Sequence, residues 1–296
     1  MPRMCKSRRA MLPFQSGLFA GRAVATLPTS RETTISSPRF QVILRRRLRL
    51  QLPPVGCRRC DGQHCHSRLD RFGDHWASCN RSGRLRRRAG PLEVAIRRVL
   101  REAGGRVVPN LRLRDAGIQG IGRYDDRAVE AVAFDLPIFN GLPLFVDATI
   151  VSPLHASGRP WRGASRINGV ALERAVRSKR RTYPESFENP GARFVVFGIE
   201  VGGRWNPAAI GLLRALAKAR AERDPRLLRR SAEMAWFHRW SGMLAVAAQS
   251  ALAASLVETP APLLAGANGS IPMLSEVFSS QAFIDFSAVS RLPLRA

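Results

Sequence analysis

The sequence predicts a mixed α/β domain, in which helices flank a small sheet, preceded by a short segment rich in cysteine and histidine. Beyond residue 88, apolar residues alternate between helical and strand spacing in the order α-β-β-β-α-β-α-α. Four of the five cysteines lie within 23 residues, a spacing typical of metal ligands and not of a disulfide framework. With 296 residues, 45% of them hydrophobic, the chain can bury a core and is not disordered throughout.

Changes in composition along the chain predict four segments. Residues 1–39 are basic and lack periodicity, and we expect them to be disordered. The cysteine segment with its basic flanks covers 40–88, and the α/β domain covers 89–257. Residues 258–296 are rich in Pro, Gly, Ala and Ser, and we expect a loosely ordered tail.

Each element of the domain has a local signal. Phe40–Leu50 has the pattern of a short basic helix or strand, and Arg84–Arg88 reads as a basic link. Pro91 suits the first turn of a helix, and Asn140-Gly141 is a turn signal between two strands. The predicted elements are a helix over 91–103, strands over 107–113, 129–134 and 142–151, a helix over 169–183, a strand over 193–201, and helices that start at Asn206-Pro207 and at Asp224-Pro225, the last reaching Val257.

The charge of the chain points to a polyanionic partner. Lys and Arg number 48 against 22 Asp and Glu, a net charge of +26, which indicates DNA, and RNA as an alternative. Residues 1–100 hold 22 basic and 5 acidic side chains, so we expect this net +17 to dominate an affinity that weakens steeply with salt. No apolar run reaches 18 residues, and Met243–Leu256 reads as a buried helix, so no membrane partner is expected.

The cysteine segment predicts a structural zinc site. Cys57-x2-Cys60 is followed by His75-x3-Cys79, and two such pairs can converge tetrahedrally on one zinc ion. We therefore expect the ligands Cys57, Cys60, His75 and Cys79, with competing ligands at His64, Cys65 and His66. Reduced thiols that bind metal favour a reducing compartment.

Carboxylates and one lysine form the candidate catalytic group. Asp147 interrupts an apolar strand, and a charge buried there needs a partner or a metal ion. A hairpin around Asn140-Gly141 brings Glu130 roughly opposite Asp147, and Asp126 at the mouth of the same strand is the alternative first acid. Lys179 is one of three lysines in an arginine-rich chain, and lysine can orient a water as a compact charge. Glu93 lies near the predicted start of the first helix, and the attraction between its negative charge and the helix dipole is sufficient to explain an acid there.

These motifs together resemble a known family. The order of these motifs resembles the C-terminal region of non-LTR retrotransposon reverse-transcriptase proteins. That order is a Cys/His segment, a basic link, a helix, an acid, Asp147 and then Lys179-x3-Tyr183. That region carries a zinc knuckle followed by a restriction-like endonuclease of the PD-(D/E)XK class. The resemblance covers residues 40–257 and rests on four stretches: 130–154, 179–184, Gly73-Asp74-His75 and 201–205.

The resemblance implies a fold, an activity and a set of roles. By the resemblance, Asp147 matches the family's central catalytic Asp, and Glu130 matches its first acid. Lys179 matches the catalytic lysine that the family has moved onto a helix, and Tyr183 matches the tyrosine that follows that lysine. The implied fold is a PD-(D/E)XK nuclease-like domain after a small zinc knuckle, and the implied activity is a DNA endonuclease that nicks target DNA. Its cofactors would be structural Zn²⁺ and catalytic Mg²⁺ or Mn²⁺.

Further expectations follow from the same resemblance. No polymerase motif is present, so we expect a terminal fragment or remnant whose partner is the upstream reverse-transcriptase region of the parent element, acting in the nucleus. The alternative is a catalytically decayed, nucleic-acid-binding remnant on a nuclease-like scaffold. The two hypotheses differ in whether Glu130 or Asp126, Asp147 and Lys179 converge on one point.

Overall fold

The computed structural model describes residues 10–11, 14–52, 59–118 and 120–257. These residues belong to one compact unit. The predicted tail over 258–296 lies outside the described residues.

A four-stranded sheet forms the centre of the fold. Its strands are β1 Arg106–Arg112, β2 Ala128–Phe134, β3 Leu144–Val151 and β4 Arg193–Glu200, and they lie in the order β1-β2-β3-β4. Strand β2 is antiparallel to both β1 and β3, whereas β3 and β4 are parallel. The four predicted strands are confirmed to within two residues at each end.

Helices cover both faces of this sheet, which confirms the predicted mixed α/β class. They are α1 Arg22–Ala25, α2 Ser37–Arg47, α3 Asp74–Ser78, α4 Arg84–Glu102, α5 Val170–Thr182, α6 Pro184–Glu188, α7 Pro207–Ala221 and α8 Arg229–Val257. One apolar core joins α4, α7 and α8 to side chains such as Val146 and Phe197. A second core lies on the other face, where Tyr183 after α5 packs with Phe145 and Val196. None of the helices in the described ranges is long and apolar enough to cross a membrane.

The β2–β3 hairpin sets the register of the site. Asn140 and Gly141 both adopt positive φ in the connecting turn, as the turn signal predicts. The strands pair Val132 with Phe145 and Ala131 with Val146. One further step in the same register places Glu130 opposite Asp147, on the face of the second core.

Helix α4 differs from the prediction. It begins at Arg84, seven residues before Pro91, so the predicted basic link is the first part of the helix. A proline inside a helix clashes least when the preceding residue has no Cβ, and Gly90 meets this condition. Arg84 and Arg88 are buried instead of solvated.

The described part of the N-terminal region confirms one prediction and differs from another. Of the two alternatives for 40–50, the helix forms and covers residues 40–47 as the end of α2. Residues 22–25 form α1, which packs against α8 where disorder was predicted. Arg22 fixes this contact by donating a hydrogen bond to the His238 carbonyl at 2.6 Å.

Candidate metal centre and active-site cleft

Cys60, Cys65, His75 and Cys79 bring their side-chain ligand atoms together within 4.8 Å, and we call this group the Cys₃His cluster. Sγ of Cys79 lies 3.9 Å from Sγ of Cys60 and 3.7 Å from Sγ of Cys65. Sγ of Cys65 lies 3.4 Å from Nε2 of His75. A tetrahedron with zinc–sulfur bonds of about 2.3 Å has edges of about 3.8 Å. The cluster can therefore hold a metal ion, and its soft ligands and spacing fit zinc.

A tight turn presents His75 to this cluster. Asp70 accepts hydrogen bonds from the backbone N–H of Phe72, Asp74 and His75, which fixes the start of α3. Gly73 has φ +72°, and a Cβ there would meet Leu52 at 3.1 Å. These two constraints explain why Asp and Gly occupy their positions in this turn.

The second ring nitrogen of His75 also has a partner. Nδ1 donates to the Ala156 carbonyl at 2.7 Å, which leaves Nε2 free to bind a metal ion. Burial raises the pKa of the Cys60 thiol to about 12. A metal ion would therefore displace protons as it binds.

The cluster contains three of the four predicted metal ligands. Cys60, His75 and Cys79 belong to it, and the fourth group within the described residues is Cys65, which the sequence leaves open as a competing ligand. Cys57, the predicted fourth ligand, lies outside the described residues. The spacing of the cysteines left Cys65 open as a competitor but could not choose it, because the choice depends on how the loop 61–74 folds.

Asp147 and Lys179 form the centre of the second site. Nζ of Lys179 lies 2.9 Å from Oδ1 and 2.7 Å from Oδ2 of Asp147. The Asp147 side chain is 1% exposed and that of Lys179 is 27% exposed, so the pair lies at the boundary between the protein interior and the surface. Helix α5 approaches the sheet closely because β4 offers Gly198, where a Cβ would meet Leu172 at 2.9 Å.

Glu130 completes this group. The ladder between β2 and β3 ends at the pair Ala131 and Val146, so the backbone N–H of Ala148 lies beyond it and can bond to a side chain. The Glu130 carboxylate accepts a hydrogen bond from this N–H. Glu130, Asp147 and Lys179 thus converge. This convergence is the feature by which the two hypotheses drawn from the sequence, an active nuclease and a decayed remnant, differ.

The charges of these three groups are coupled. Burial, and then the charge of Asp147, raise the pKa of Glu130 to about 8. Burial disfavours the ammonium of Lys179, but the Asp147 carboxylate outweighs this effect and raises the pKa of Lys179 above its ordinary value. Lys179 is therefore a fixed positive charge at neutral pH and not a base.

Tyr183 and the two aspartates before β2 have different surroundings. The Tyr183 hydroxyl donates to the Ala128 carbonyl at 3.1 Å, and the tyrosine also interacts with Asp147. Asp126 has a side chain that is 79% exposed and pairs with Arg112 and Arg114. The alternative first acid therefore lies away from Lys179. Asp125 pairs with Arg127 at 2.6 Å and has a structural role.

A cleft of about 840 Å³ opens beside this group. Glu130, Lys179, Trp161 and Arg174 line it, together with residues 148–152. Glu93 on α4 lines the same cleft, and its charge contributes to raising the pKa of Glu130. The sequence interpretation missed Glu93 because it placed the helix start at Pro91. With the start at Arg84, Glu93 lies in the third turn, where the helix dipole has little effect.

Comparisons with known proteins add no identification. A scan of the chain against models of protein families finds no match, and a search of curated proteins finds no similar sequence. The function therefore has to be inferred from the residues and their geometry.

Proposed function

We propose that this protein is a divalent-metal-dependent DNA endonuclease that nicks its target, derived from a non-LTR retrotransposon protein. The observation that supports it best is the convergence of Glu130, Asp147 and Lys179 at one cleft. The strand order, with an antiparallel hairpin followed by a helix and a parallel strand, supports a PD-(D/E)XK nuclease-like core.

Glu130 and Asp147 are the residues suited to hold the catalytic ion. Carboxylate oxygens are the ligands that Mg²⁺ and Mn²⁺ prefer, and a cation between the two carboxylates would offset the Asp147 charge that raises the pKa of Glu130. The bound ion would supply Lewis-acid stabilisation of charge on the scissile phosphate. Lys179, held as an ammonium, neutralises charge and donates a hydrogen bond to the attacking water or to a phosphate oxygen.

The Cys₃His cluster has a structural role in this proposal. Four protein ligands fill a tetrahedral zinc ion and leave no position open for chemistry. Zinc binding would order residues 59–82, which supply few apolar residues to the core.

A second candidate is a nucleic-acid-binding remnant that has lost the nuclease activity. The surroundings of Asp147 favour this candidate. Lys179 pairs with both carboxylate oxygens of Asp147, and only 1% of the Asp147 side chain is exposed. Binding of Mn²⁺ to the zinc-loaded protein distinguishes the two candidates, since only the nuclease needs an ion at the cleft.

The variant Asp147→Asn tests the nuclease directly. We expect nicking of supercoiled plasmid with Mg²⁺ or Mn²⁺ to fall by at least about 100-fold, because one ligand charge is lost while the side-chain shape is kept. Binding of DNA by the zinc-loaded protein without added Mg²⁺ or Mn²⁺ should change by less than about twofold, since Asp147 does not reach the surface.

Asp126→Asn is the matched control. It removes the same charge from an exposed position and should leave nicking unchanged. Equal loss in both variants, or full nicking by Asp147→Asn, would contradict the assignment of the site.

A further inference from the structure

The segment from Ser152 to Thr182 has an excess of positive charge next to the cleft. It holds eight basic side chains and one acidic side chain. All seven of its arginines are exposed and lie in the loop before α5 or on α5. Arg180 contacts the ring of Phe187, and we call the other six the arginine strip: Arg159, Arg162, Arg166, Arg174, Arg177 and Arg181.

The charges of this strip are not neutralised within the protein. In the described part of the chain, none of the six forms an ion pair with a carboxylate. Arg174 contacts the ring of Trp161 at 3.8 Å, and this contact leaves its charge in place. A group of unpaired cations repels itself, so it gains from an anionic partner.

The first hundred residues behave differently. Arg46 and Arg88 are buried, and Arg49 binds Asp74 at 2.7 Å. Arg98 pairs with both Glu32 and Glu102. Many of the arginines described in this part of the chain thus stabilise the fold, so the net charge of 1–100 overstates what a partner can reach.

The helical part of the strip follows the rim of the cleft. Arg174, Arg177 and Arg181 have i, i+3 and i+7 spacing, which places them on one side of α5. Ser178 and Lys179 line the cleft from the adjacent side of the helix. Arg174 and Arg181 are about 10 Å apart along the axis, the rise of about three successive phosphates on one DNA strand.

We propose that duplex DNA lies along the arginine strip, with its backbone phosphates on these side chains and the target phosphate beside Lys179. The choice of DNA rests on the proposed function. Contacts of this kind position the duplex without reading its sequence.

The triple variant Arg174/Arg177/Arg181→Gln tests the strip. We measure the affinity of the full-length, zinc-loaded protein for a fluorescent 30-base-pair duplex without added Mg²⁺ or Mn²⁺, at several salt concentrations. Loss of three phosphate contacts should reduce the slope of log affinity against log salt by about 2 to 3, and the affinity at 0.1 M salt by at least about tenfold. Glutamine keeps the helix, since its helix propensity is close to that of arginine.

The matched control is Arg223/Arg226/Arg230→Gln. It removes three charges from exposed positions, two between α7 and α8 and one in the first turn of α8, that do not line the cleft. The control should keep the wild-type slope. If α5 were destabilised, the loop variant Arg159/Arg162/Arg166→Gln makes the same test without touching a helix.

Three outcomes would overturn the proposal. The first is an equal loss of slope in strip and control variants, which would mean that charge acts diffusely. The second is an unchanged slope in both strip variants. The third is binding of duplex RNA that depends on the strip while binding of DNA does not. Because no Mg²⁺ or Mn²⁺ is present, these results are independent of nicking, and a failed nuclease assay leaves them unaffected.

Discussion

Glu130 carries the carboxyl group whose protonation controls what the cleft can hold. With its pKa raised to about 8, the group is mostly protonated at neutral pH in the metal-free protein. A cation that binds there must displace this proton. The affinity for the cation therefore increases as pH rises toward 8 and levels off above it.

This coupling predicts the pH dependence of Mn²⁺ binding. Calorimetric titration of the zinc-loaded protein should give an affinity that rises up to about tenfold per pH unit between pH 6 and 8. Glu130→Gln should weaken binding and remove most of that dependence, because no proton remains to be displaced. Glu200→Gln, which changes a buried carboxyl group outside the cleft, should leave both the affinity and its pH dependence as in the wild type. A pH-independent affinity in the wild-type protein would contradict the account.

Single substitutions can identify the fourth zinc ligand. Cys65→Ser should lower the zinc content below about half an equivalent, because it removes one of four converging ligands. Cys57→Ser should keep about one equivalent, since the described cluster is complete without it. Zinc analysis after dialysis checks both variants, and the reverse pattern would restore Cys57 as the ligand.

At the scale of elements, α4 connects the zinc-binding segment to the sheet. The buried guanidinium of Arg88 donates to the Ala77 carbonyl in α3 at 2.9 Å and to the Ile150 carbonyl in β3 at 2.7 Å. Ile150 is three residues beyond Asp147 on the same strand. His75 adds a second connection through Ala156, in the loop that follows β3.

Arg88→Met tests this connection. The change leaves two buried carbonyls without a donor, so we expect the free energy of unfolding to fall by about 2–4 kcal/mol in urea titration. Arg226→Met, at an exposed position, should change it by less than about 0.5 kcal/mol. Similar effects in the two variants would show that the Arg88 contacts do not stabilise the protein.

The elements differ in how far the sequence predicts them. The β2–β3 hairpin is predictable because Asn140-Gly141 and the flanking apolar runs are local signals. Its register is not predictable from them, because a two-residue turn at Asn140-Gly141 would place Glu130 opposite Val151, whereas the longer connection over 135–143 places it opposite Asp147. The start of α4 is not predictable in the same way. Arg84 and Arg88 look like solvated charges in the sequence, because their partners include backbone carbonyls as distant as Ser255 and Ile150.

At the scale of the whole molecule, Glu200 makes stability depend on pH. Its side chain is 0% exposed, and neither carboxyl oxygen has a hydrogen-bond partner in the described part of the chain. Burial raises the pKa of Glu200 to about 8, although Arg204 lies 3.6 Å away. The unfolded chain releases this proton near pH 4.5, whereas the folded protein keeps it to about 8. The contribution of Glu200 to stability therefore falls as pH rises through this window and is constant above it.

Glu200→Gln should remove this contribution. Relative to the wild type, the variant should be nearly equal in stability at pH 4.5 and more stable by about 1–3 kcal/mol at pH 8. Urea unfolding of both proteins across this range measures the difference, with the exposed Glu188→Gln as the control. A difference that does not change with pH would mean that Glu200 is ionised in the folded state.

The connection through Arg88 affects how this protein can be divided. A cut at residue 89, where the sequence suggests that one domain ends and the next begins, falls inside α4 and separates Arg88 from the strand it supports. The cysteine segment is thus not an accessory that can be exchanged between proteins. It forms part of the wall of the cleft through Ala77 and Ser78, so the two segments have to be expressed and engineered as one piece.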